Sequence, residues 1–285
     1  MIFRNLVALG FSLRLLAGEL LIIDASPLRE PGMFACANVV LGHLHLYEMG
    51  AYSGFSELAV DFGQSGLYFD PDYGPNWWNY YFEPIHLQIS ALQNNASRFK
   101  DGSFAAIHAR WQLKREQASA LVKKYIHIQQ SILEKAAQFI ERHFQNVFVL
   151  GIHYRGTDKE KEAPRVPYAE AIGAVFAHIP SDQPYKIFVA TDEAAFLSQM
   201  KKTFPGSVIA YDAHRSNGVM PVHLSQPPSP YAIGEEALLD ALILSNCDFL
   251  IRTSSNLSLW STYFNPELPV ELLNCRYELH SFEAE

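Results

Sequence analysis

Basic and polar side chains follow a short apolar run in the second half of the sequence. Residues 147–153 form that run, which is typical of a strand covered on both faces. His153 and Arg155 alternate at its end, so we expect both side chains on one side of a sheet. A guanidinium there can bind a phosphate through two parallel hydrogen bonds and stays charged at any working pH. Asp158 either orients the following turn or pairs with Arg155.

Two further polar groups follow apolar runs in the same half of the chain. In the first, Thr191 or Asp192 can cap the next helix, which explains that group without a ligand. The second group is a run of small polar residues, namely Thr253, Ser254, Ser255 and Asn256. Its hydroxyls and unbonded backbone amides at a helix N-terminus would suit a phosphate. Simple capping by Ser255 or Asn256 is the alternative.

The elements that must position these groups alternate between strand and helix. The pattern predicts strands at 147–153, 186–190, 207–211, 247–251 and 270–273, and helices at 167–179, 193–204, 235–245 and 256–264. Such alternation predicts a parallel sheet, and ligands of such sheets bind beyond the carboxyl ends of the strands. Residues 147–285 are therefore interpreted as one Rossmann-like domain.

The first half, residues 1–146, is less regular and is interpreted as a second domain. A strand is predicted at 20–24, a helix at 33–49, and one or two long helices within 104–145 that bridge the two halves. The aromatic cluster at 77–82 favours core or interface packing over a platform that stacks on sugars.

Composition excludes several classes of protein. The chain has 285 residues, 49% of them apolar and 18% charged, which indicates a globular protein with a sizeable core. Its formal charge of −8 disfavours a nucleic-acid binder, so any anionic ligand must be held by a few local cations or dipoles. Three scattered cysteines indicate neither a disulfide framework nor a zinc site. No membrane helix is predicted, and a cytoplasmic location is expected.

Several motifs are absent from the sequence. There is no G-x-G-x-x-G after a predicted strand, no G-x-x-x-x-G-K-[ST] and no G-x-S-x-G. A dinucleotide dehydrogenase, a P-loop enzyme and an α/β-hydrolase are therefore disfavoured. Asp70-Pro-Asp72 has the letters of a metal-chelating D-x-D motif, but its Pro- and Gly-rich surroundings favour an ordinary turn.

Taken together, the motifs of residues 147–274 are more specific than any one of them. They occur in the order His153-Tyr-Arg155-Gly-Thr-Asp-Lys159, Ala190-Thr-Asp-Glu193, and Asp240 followed by Asp248-Phe-Leu-Ile-Arg-Thr-Ser-Ser-Asn256. This series resembles the fucosyltransferase-like superfamily, in particular the nodulation-type and core-type α1,6-fucosyltransferases and the protein O-fucosyltransferases. The resemblance implies an α/β, GT-B-like architecture with two facing Rossmann-like domains and a cleft between them.

The resemblance also implies roles for individual residues of the donor site. Arg155 would clamp the β-phosphate of GDP-fucose and stabilise the leaving GDP, while His153 and Asp240 would lie by the guanine. Thr253, Ser254, Ser255 and Asn256 would complete the phosphate seat. Gly32, Met33 and Phe34 would close over the diphosphate from the first domain.

The catalytic base is left open between two glutamates. Glu162 matches the glutamate of the family if one residue is deleted, and Glu160 is the competitor. Asp158, Tyr168 and Asp192 are assigned supporting roles.

The function expected from these residues is inverting transfer of L-fucose from GDP-fucose to a glycan acceptor, without a required metal or cofactor. The alternatives are a glycosyltransferase that uses another nucleotide sugar and a non-catalytic module that binds nucleotide sugars or glycans.

Overall fold

A computed structural model describes most of the chain. The described residues are 14–16, 20–24, 32–52, 55–64, 66–89, 110, 112–156, 163–216 and 229–275. The chain divides into two compact units, Met1–Gln129 and Gln130–Glu285. Among the described residues, no helix is both long enough and apolar enough to cross a bilayer.

The first unit contains a small mixed sheet. Its strands β1 (Arg14–Leu16), β2 (Leu20–Ile23), β3 (Glu57–Val60) and β4 (His86–Gln88) lie in chain order. The central pair β2–β3 is parallel, whereas β1 and β4 are antiparallel to their neighbours. Helix α1 (Met33–Glu48) connects the parallel pair, which makes one βαβ unit flanked by antiparallel edges. Two further helices are α2 (Trp78–Tyr81) and α3 (Arg115–Tyr125).

The aromatic cluster of this unit belongs to its core, as the sequence favoured. Trp78, Tyr81 and Phe82 are fully buried, and Trp77 is 3% exposed. The Trp77 ring stacks on Phe62 at a centroid distance of 4.7 Å. Rings packed in this way contribute to the stability of the unit and offer no open face to a sugar.

The second unit is built on a parallel five-stranded sheet. Its elements are α4 (Gln130–His143), β5 (Phe148–Tyr154), α5 (Tyr168–His178), β6 (Tyr185–Thr191), α6 (Ala194–Thr203), β7 (Val208–Ile209), α7 (Pro230–Ser245), β8 (Phe249–Arg252), α8 (Asn256–Phe264) and β9 (Val270–Leu272). The strand order is β7-β6-β5-β8-β9, and every pair is parallel. The chain extends the sheet from β5 in one direction, then returns to add β8 on the other side. The strand order therefore reverses between β5 and β8.

Alternate residues of β5 face different helices. Leu150, Ile152 and Tyr154 belong to the apolar cluster that α5 and α6 cover. Gly151 faces the opposite layer, where α7 brings Leu244 against it. His153 follows the same alternation as Gly151, and Arg155 continues it just beyond the strand.

Most predicted elements are present, with differences at their ends. Helix α7 begins at Pro230, earlier than the predicted residue 235, because Ser229 caps it: its Oγ accepts a hydrogen bond from the Ala232 N–H at 3.1 Å. Strand β7 is shorter than predicted. The stretch 104–145 contains two helices, α3 and α4, among its described residues.

Helix α4 is part of the second unit, whereas the sequence analysis assigned it to the first domain. Its Phe139 packs edge-on against Phe188 of β6, with ring centroids 5.6 Å apart. Its Lys135 pairs with Glu235 of α7 at 2.7 Å. These contacts explain why the second compact unit starts at Gln130 and not at residue 147.

The close packing of β5 on α7 yields a test of the fold. A Cβ on Gly151 would lie 2.9 Å from Cys247 Sγ and 3.1 Å from Leu244 Cδ2. We expect Gly151→Ala to lower the free energy of unfolding by about 1–3 kcal/mol, because the neighbouring side chains must move. Denaturant unfolding measures the change.

Gly173 provides the matched control for this prediction. It lies in α5, and a Cβ there would meet nothing within 4 Å. Gly173→Ala should raise stability by about 0.5–1 kcal/mol, as alanine does in an exposed helix. Equal effects of the two substitutions would contradict the packing of α7 on β5.

Candidate functional site

The three polar groups singled out in the sequence lie at neighbouring strand ends. β6, β5 and β8 are adjacent in the sheet, and the register places His153 opposite both Ala190 and Arg252. The groups that follow these strands therefore meet at one edge of the sheet. The edge includes the position between β5 and β8 where the strand order reverses, which is where ligands of open α/β sheets bind.

Arg155 is held from two sides. Its backbone N–H donates to Thr253 Oγ1 at 2.9 Å, which ties the end of β5 to the end of β8. Its Nε lies 3.2 Å from Asp192 Oδ2, beyond the end of β6. The Asp192 side chain is 6% exposed, whereas that of Arg155 is 27% exposed. A buried carboxylate thus orients a guanidinium that solvent or a ligand can reach.

Gly156 is held through its own peptide groups. Its N–H donates to Asp192 Oδ1 at 3.2 Å, and its carbonyl accepts from Arg165 Nη1 at 3.1 Å. A Cβ at this position would lie 2.2 Å from Glu193 Oε1 and 2.6 Å from Glu193 Cδ. Only glycine fits here, because the carboxyl group of Glu193 occupies the space that a side chain would need.

Glu193 is a buried carboxylate with two donors from other segments. The residue is 7% exposed. Arg165 Nη2 donates to its two oxygens at 3.0 and 3.3 Å, and the Tyr168 hydroxyl donates to Oε2. Its backbone N–H donates to Thr191 Oγ1 at 3.1 Å. Tyr168 therefore supports Glu193, and its ring packs on Tyr154 at 5.3 Å.

His153 is buried beside two arginines. Burial, followed by the charges of Arg155 and Arg252, lowers its pKa to about 3. The residue is 4% exposed, and among the described residues its Nδ1 has no hydrogen-bond partner. His153 is therefore neutral at physiological pH, first because it is buried and second because Arg155 and Arg252 oppose its protonation.

Asp240 lies on the face of α7 that covers the sheet. It precedes Leu244, which packs on Gly151, by one helical turn. Because α7 returns the chain from the carboxyl edge of the sheet to its amino edge, that turn brings Asp240 toward the edge that carries Arg155. Burial, with a smaller contribution from the Glu236 carboxylate and against the charge of Arg215, raises its pKa to about 7. Its Oδ1 has no hydrogen-bond partner in the described part of the chain.

The residues after β8 are more fully bonded than the sequence analysis expected. The Thr253 N–H donates to the His153 carbonyl at 3.0 Å, and the Ser254 N–H donates to Asn274 Oδ1 at 2.7 Å. The expectation of unbonded amides is therefore wrong at these two positions. Ser255 caps α8, since its Oγ accepts from the Leu257 N–H at 3.3 Å, which confirms the capping alternative. Asn256 is the first residue of α8.

The remaining predicted residues belong to the first unit or lie outside the described residues. Gly32 is exposed and precedes α1, and the Met33 N–H donates to the Tyr68 hydroxyl at 2.7 Å. The side chains of Met33 and Phe34 are core residues, 2% and 3% exposed. Asp158, Glu160 and Glu162 lie outside the described residues.

Sequence reasoning assigned no role to Glu193, Arg165 or Asn274. The amide of Asn274 joins two segments, because its Nδ2 donates to the Pro164 carbonyl at 2.6 Å while its Oδ1 accepts from Ser254. The only local signal for Glu193 was its place next to Asp192 after a buried strand. No cluster of three metal-ligating side chains is found among the residues that the structure describes.

The whole fold is shared with solved fucosyltransferases. No protein-family model matches the sequence, and no curated protein matches it. The structure of NodZ alpha-1,6-fucosyltransferase co-crystallized with GDP is 18% identical, with a TM-score of 0.59 over 89% of this chain and 93% of that chain. Fucosyltransferase NodZ from Bradyrhizobium is 17% identical, with a TM-score of 0.57 over 90% and 95%.

A third structure, NodZ alpha-1,6-fucosyltransferase soaked with GDP-fucose, is 18% identical, with a TM-score of 0.57 over 87% of this chain and 93% of that chain. This chain therefore shares its α/β fold with these fucosyltransferase structures, which confirms the predicted α/β class and, for the fold alone, the resemblance. Structures with this fold have been solved with GDP and with GDP-fucose.

The contact between Glu193 and Gly156 yields a prediction. We expect Gly156→Ala to lower the free energy of unfolding by about 1–3 kcal/mol, because the new methyl group displaces the buried Glu193 carboxyl group. In a Glu193→Ala background the space is open, so the same substitution should cost at least about 1 kcal/mol less. Chemical denaturation of the four proteins measures the coupling. An equal cost in both backgrounds would contradict the contact.

Proposed function

We propose that this chain is an inverting glycosyltransferase that moves L-fucose from GDP-fucose to a glycan acceptor. The observation that carries the proposal is the partly exposed guanidinium of Arg155, oriented by the buried Asp192 at the reversal of strand order. A guanidinium is suited to a diphosphate because it donates parallel hydrogen bonds to phosphate oxygens. The shared fold with fucosyltransferases solved with GDP and GDP-fucose supports the same donor.

The local charge supports an anionic donor despite the net charge of the protein. The chain carries a formal charge of −8. At the strand ends, however, Arg155 and Arg252 together act against protonation of His153. A diphosphate bound at this edge would meet the Arg155 guanidinium, while the buried Arg252 would act on it through the protein interior, where charges interact more strongly than in water.

In the proposed reaction, Arg155 stabilises the leaving group. The acceptor oxygen forms a bond to C1 of fucose while the bond from C1 to the β-phosphate oxygen breaks, which inverts the configuration at C1. The electron pair of the broken bond passes to GDP, whose new charge the guanidinium stabilises. The acceptor proton passes to a carboxylate, for which Glu162 and Glu160 are the candidates by resemblance. No step of this scheme requires a metal ion.

We assign recognition of the guanine base to the face of the sheet that α7 covers. Asp240, with an oxygen that has no hydrogen-bond partner among the described residues, would accept from the N–H edge of guanine, and His153 would lie beside the base. Thr253, Ser254, Ser255 and Asn256 would border the diphosphate. The second unit would thus bind the donor, and the first unit would hold the acceptor.

A panel of nucleotide sugars, with nucleotide release as the readout, tests this proposal. We expect the protein to consume GDP-fucose in preference to UDP- and ADP-sugars, with no loss of rate in the presence of a chelator. Preferential consumption of another nucleotide sugar would show that GDP-fucose is not the donor. Binding of GDP without consumption of any donor would favour a non-catalytic binding module.

Arg155→Ala tests the residue that carries the proposal. Loss of the guanidinium should lower donor consumption by at least about 100-fold, since it removes the group that stabilises the leaving phosphate. The melting temperature should also fall, because the buried Asp192 carboxylate loses its countercharge, so the rates are compared at a temperature at which both proteins are folded. Arg142→Ala, on the exposed surface of α4, is the matched control and should keep the wild-type rate. Unchanged turnover of Arg155→Ala would contradict the assignment.

Asp240 makes donor binding depend on pH. Its pKa of about 7 means that the acceptor form, the carboxylate, becomes the main species only above neutral pH. The affinity for GDP-fucose should therefore rise between pH 6 and pH 8 in the wild type, and this rise should be absent in Asp240→Asn. Calorimetry on both proteins measures it, and titration of the ligand cancels in the comparison. Equal pH dependence in the two proteins would refute the role of Asp240.

The same group gives the opposite trend for stability without ligand. The folded pKa of Asp240 is raised above its unfolded value of about 3.9, so the folded state binds more protons between these values. Its contribution to stability is present below about pH 4 and is lost as the pH rises through 7. Donor binding, which favours the carboxylate, should offset this loss.

A further inference from the structure

Two pairs of oppositely charged side chains lie at the Arg155–Gly156 segment. Asp192 and Glu193 are adjacent in sequence and both buried, and each has its own guanidinium partner, Arg155 and Arg165 respectively. The Arg165 side chain is 43% exposed and lies three residues before the first residue of α5. We propose that Arg165 is a positioning residue that keeps the Arg155 guanidinium aimed at the donor diphosphate. This inference rests on the proposed function.

Arg165 acts on Arg155 through two contacts. Its Nη1 donates to the carbonyl of Gly156, so the peptide group that follows Arg155 is fixed by Asp192 on its N–H side and Arg165 on its carbonyl side. Its Nη2 donates to Glu193. The planar fork of arginine places two separate nitrogens on acceptors of different segments, whereas a lysine would have to serve both from a single nitrogen.

The charge of Arg165 matters as much as its hydrogen bonds. Without it, the buried carboxylate of Glu193 would keep the Tyr168 hydroxyl as a side-chain donor but would lose its countercharge. The guanidinium of Arg155 is bonded to Asp192, the residue next to Glu193 in sequence. Arg155 would then be drawn toward two carboxylates, and the diphosphate would meet an additional negative charge. Arg165 thus keeps Arg155 from being drawn away from the donor.

An independent contact fixes the backbone next to Arg165. The side chain of Asn274 bonds the Pro164 carbonyl and the Ser254 N–H, so the residue before Arg165 is tied to the end of β8. The guanidinium therefore starts from a backbone that is anchored to the same strand end as the donor site. A surface arginine that only formed an exposed ion pair would need no such anchor and would contribute little to stability.

A double-mutant cycle on the full-length chain tests the positioning role, with GDP as the probe and calorimetry as the readout. Arg165→Ala should weaken GDP binding about tenfold in the wild-type background, the scale of one charge-assisted interaction. In an Arg155→Ala background the same change should have less than about a twofold effect, since its target is gone. Arg165→Lys restores a charge but not the bridge to Gly156 and should remain weakened.

Each outcome of the cycle bears on a different claim. Additive effects of the two substitutions, wild-type affinity of Arg165→Lys, or a lower melting temperature without any change in GDP affinity would overturn the positioning role. Failure of the wild-type protein to bind GDP in preference to UDP would instead overturn the proposed function, and the inference with it. Arg142→Ala is the matched control and should bind GDP like the wild type.

Discussion

The organisation of the site depends on how the end of β5 is held. Three backbone groups there, the Arg155 N–H, the Gly156 N–H and the Gly156 carbonyl, bond to side chains from three other segments. Each of these bonds satisfies a polar group that the sheet ladder no longer serves past the strand end. The side chain of Arg155 is thereby presented from a rigid support, which is the preorganisation that binding and catalysis at a charged centre require.

Burial and charge act together at this edge of the sheet. Two positive charges beside a buried histidine would destabilise the fold if no negative charge balanced them. Asp192 balances the charge of Arg155 through Oδ2 and accepts the Gly156 N–H with Oδ1. The low pKa of His153 and the raised pKa of Asp240 have the same first cause, which is the removal of both side chains from water. At neutral pH His153 is therefore uncharged and Asp240 is only partly ionised.

The local patterns of the sequence predicted much of the second unit. Apolar runs and capping residues of a few positions predict the parallel sheet and the strand ends that carry Arg155 and Asp192. They also predict the helix starts near Tyr168 and Asn256. The resemblance to fucosyltransferases was confirmed for the fold. The roles of individual residues in donor binding and transfer stay predictions.

What the sequence could not predict are contacts between distant segments. Arg165 meets Glu193 across 28 positions, and Asn274 meets Pro164 across 110. Neither pairing has a local pattern, because both depend on how the loops after β5 and β9 fold back over the strand ends. Strands β1, β3 and β4 of the first unit were missed for the same reason, since they are short and gain their definition from their neighbours.

A crystal structure of the chain with GDP tests the central claim most directly. The β-phosphate should lie within hydrogen-bond distance of the Arg155 guanidinium while Arg155 Nε keeps its contact with Asp192. The guanine should reach the carboxylate of Asp240. A diphosphate bound elsewhere, or an Arg155 that leaves Asp192 and makes no contact with phosphate, would contradict the assignment of this edge of the sheet as the donor site.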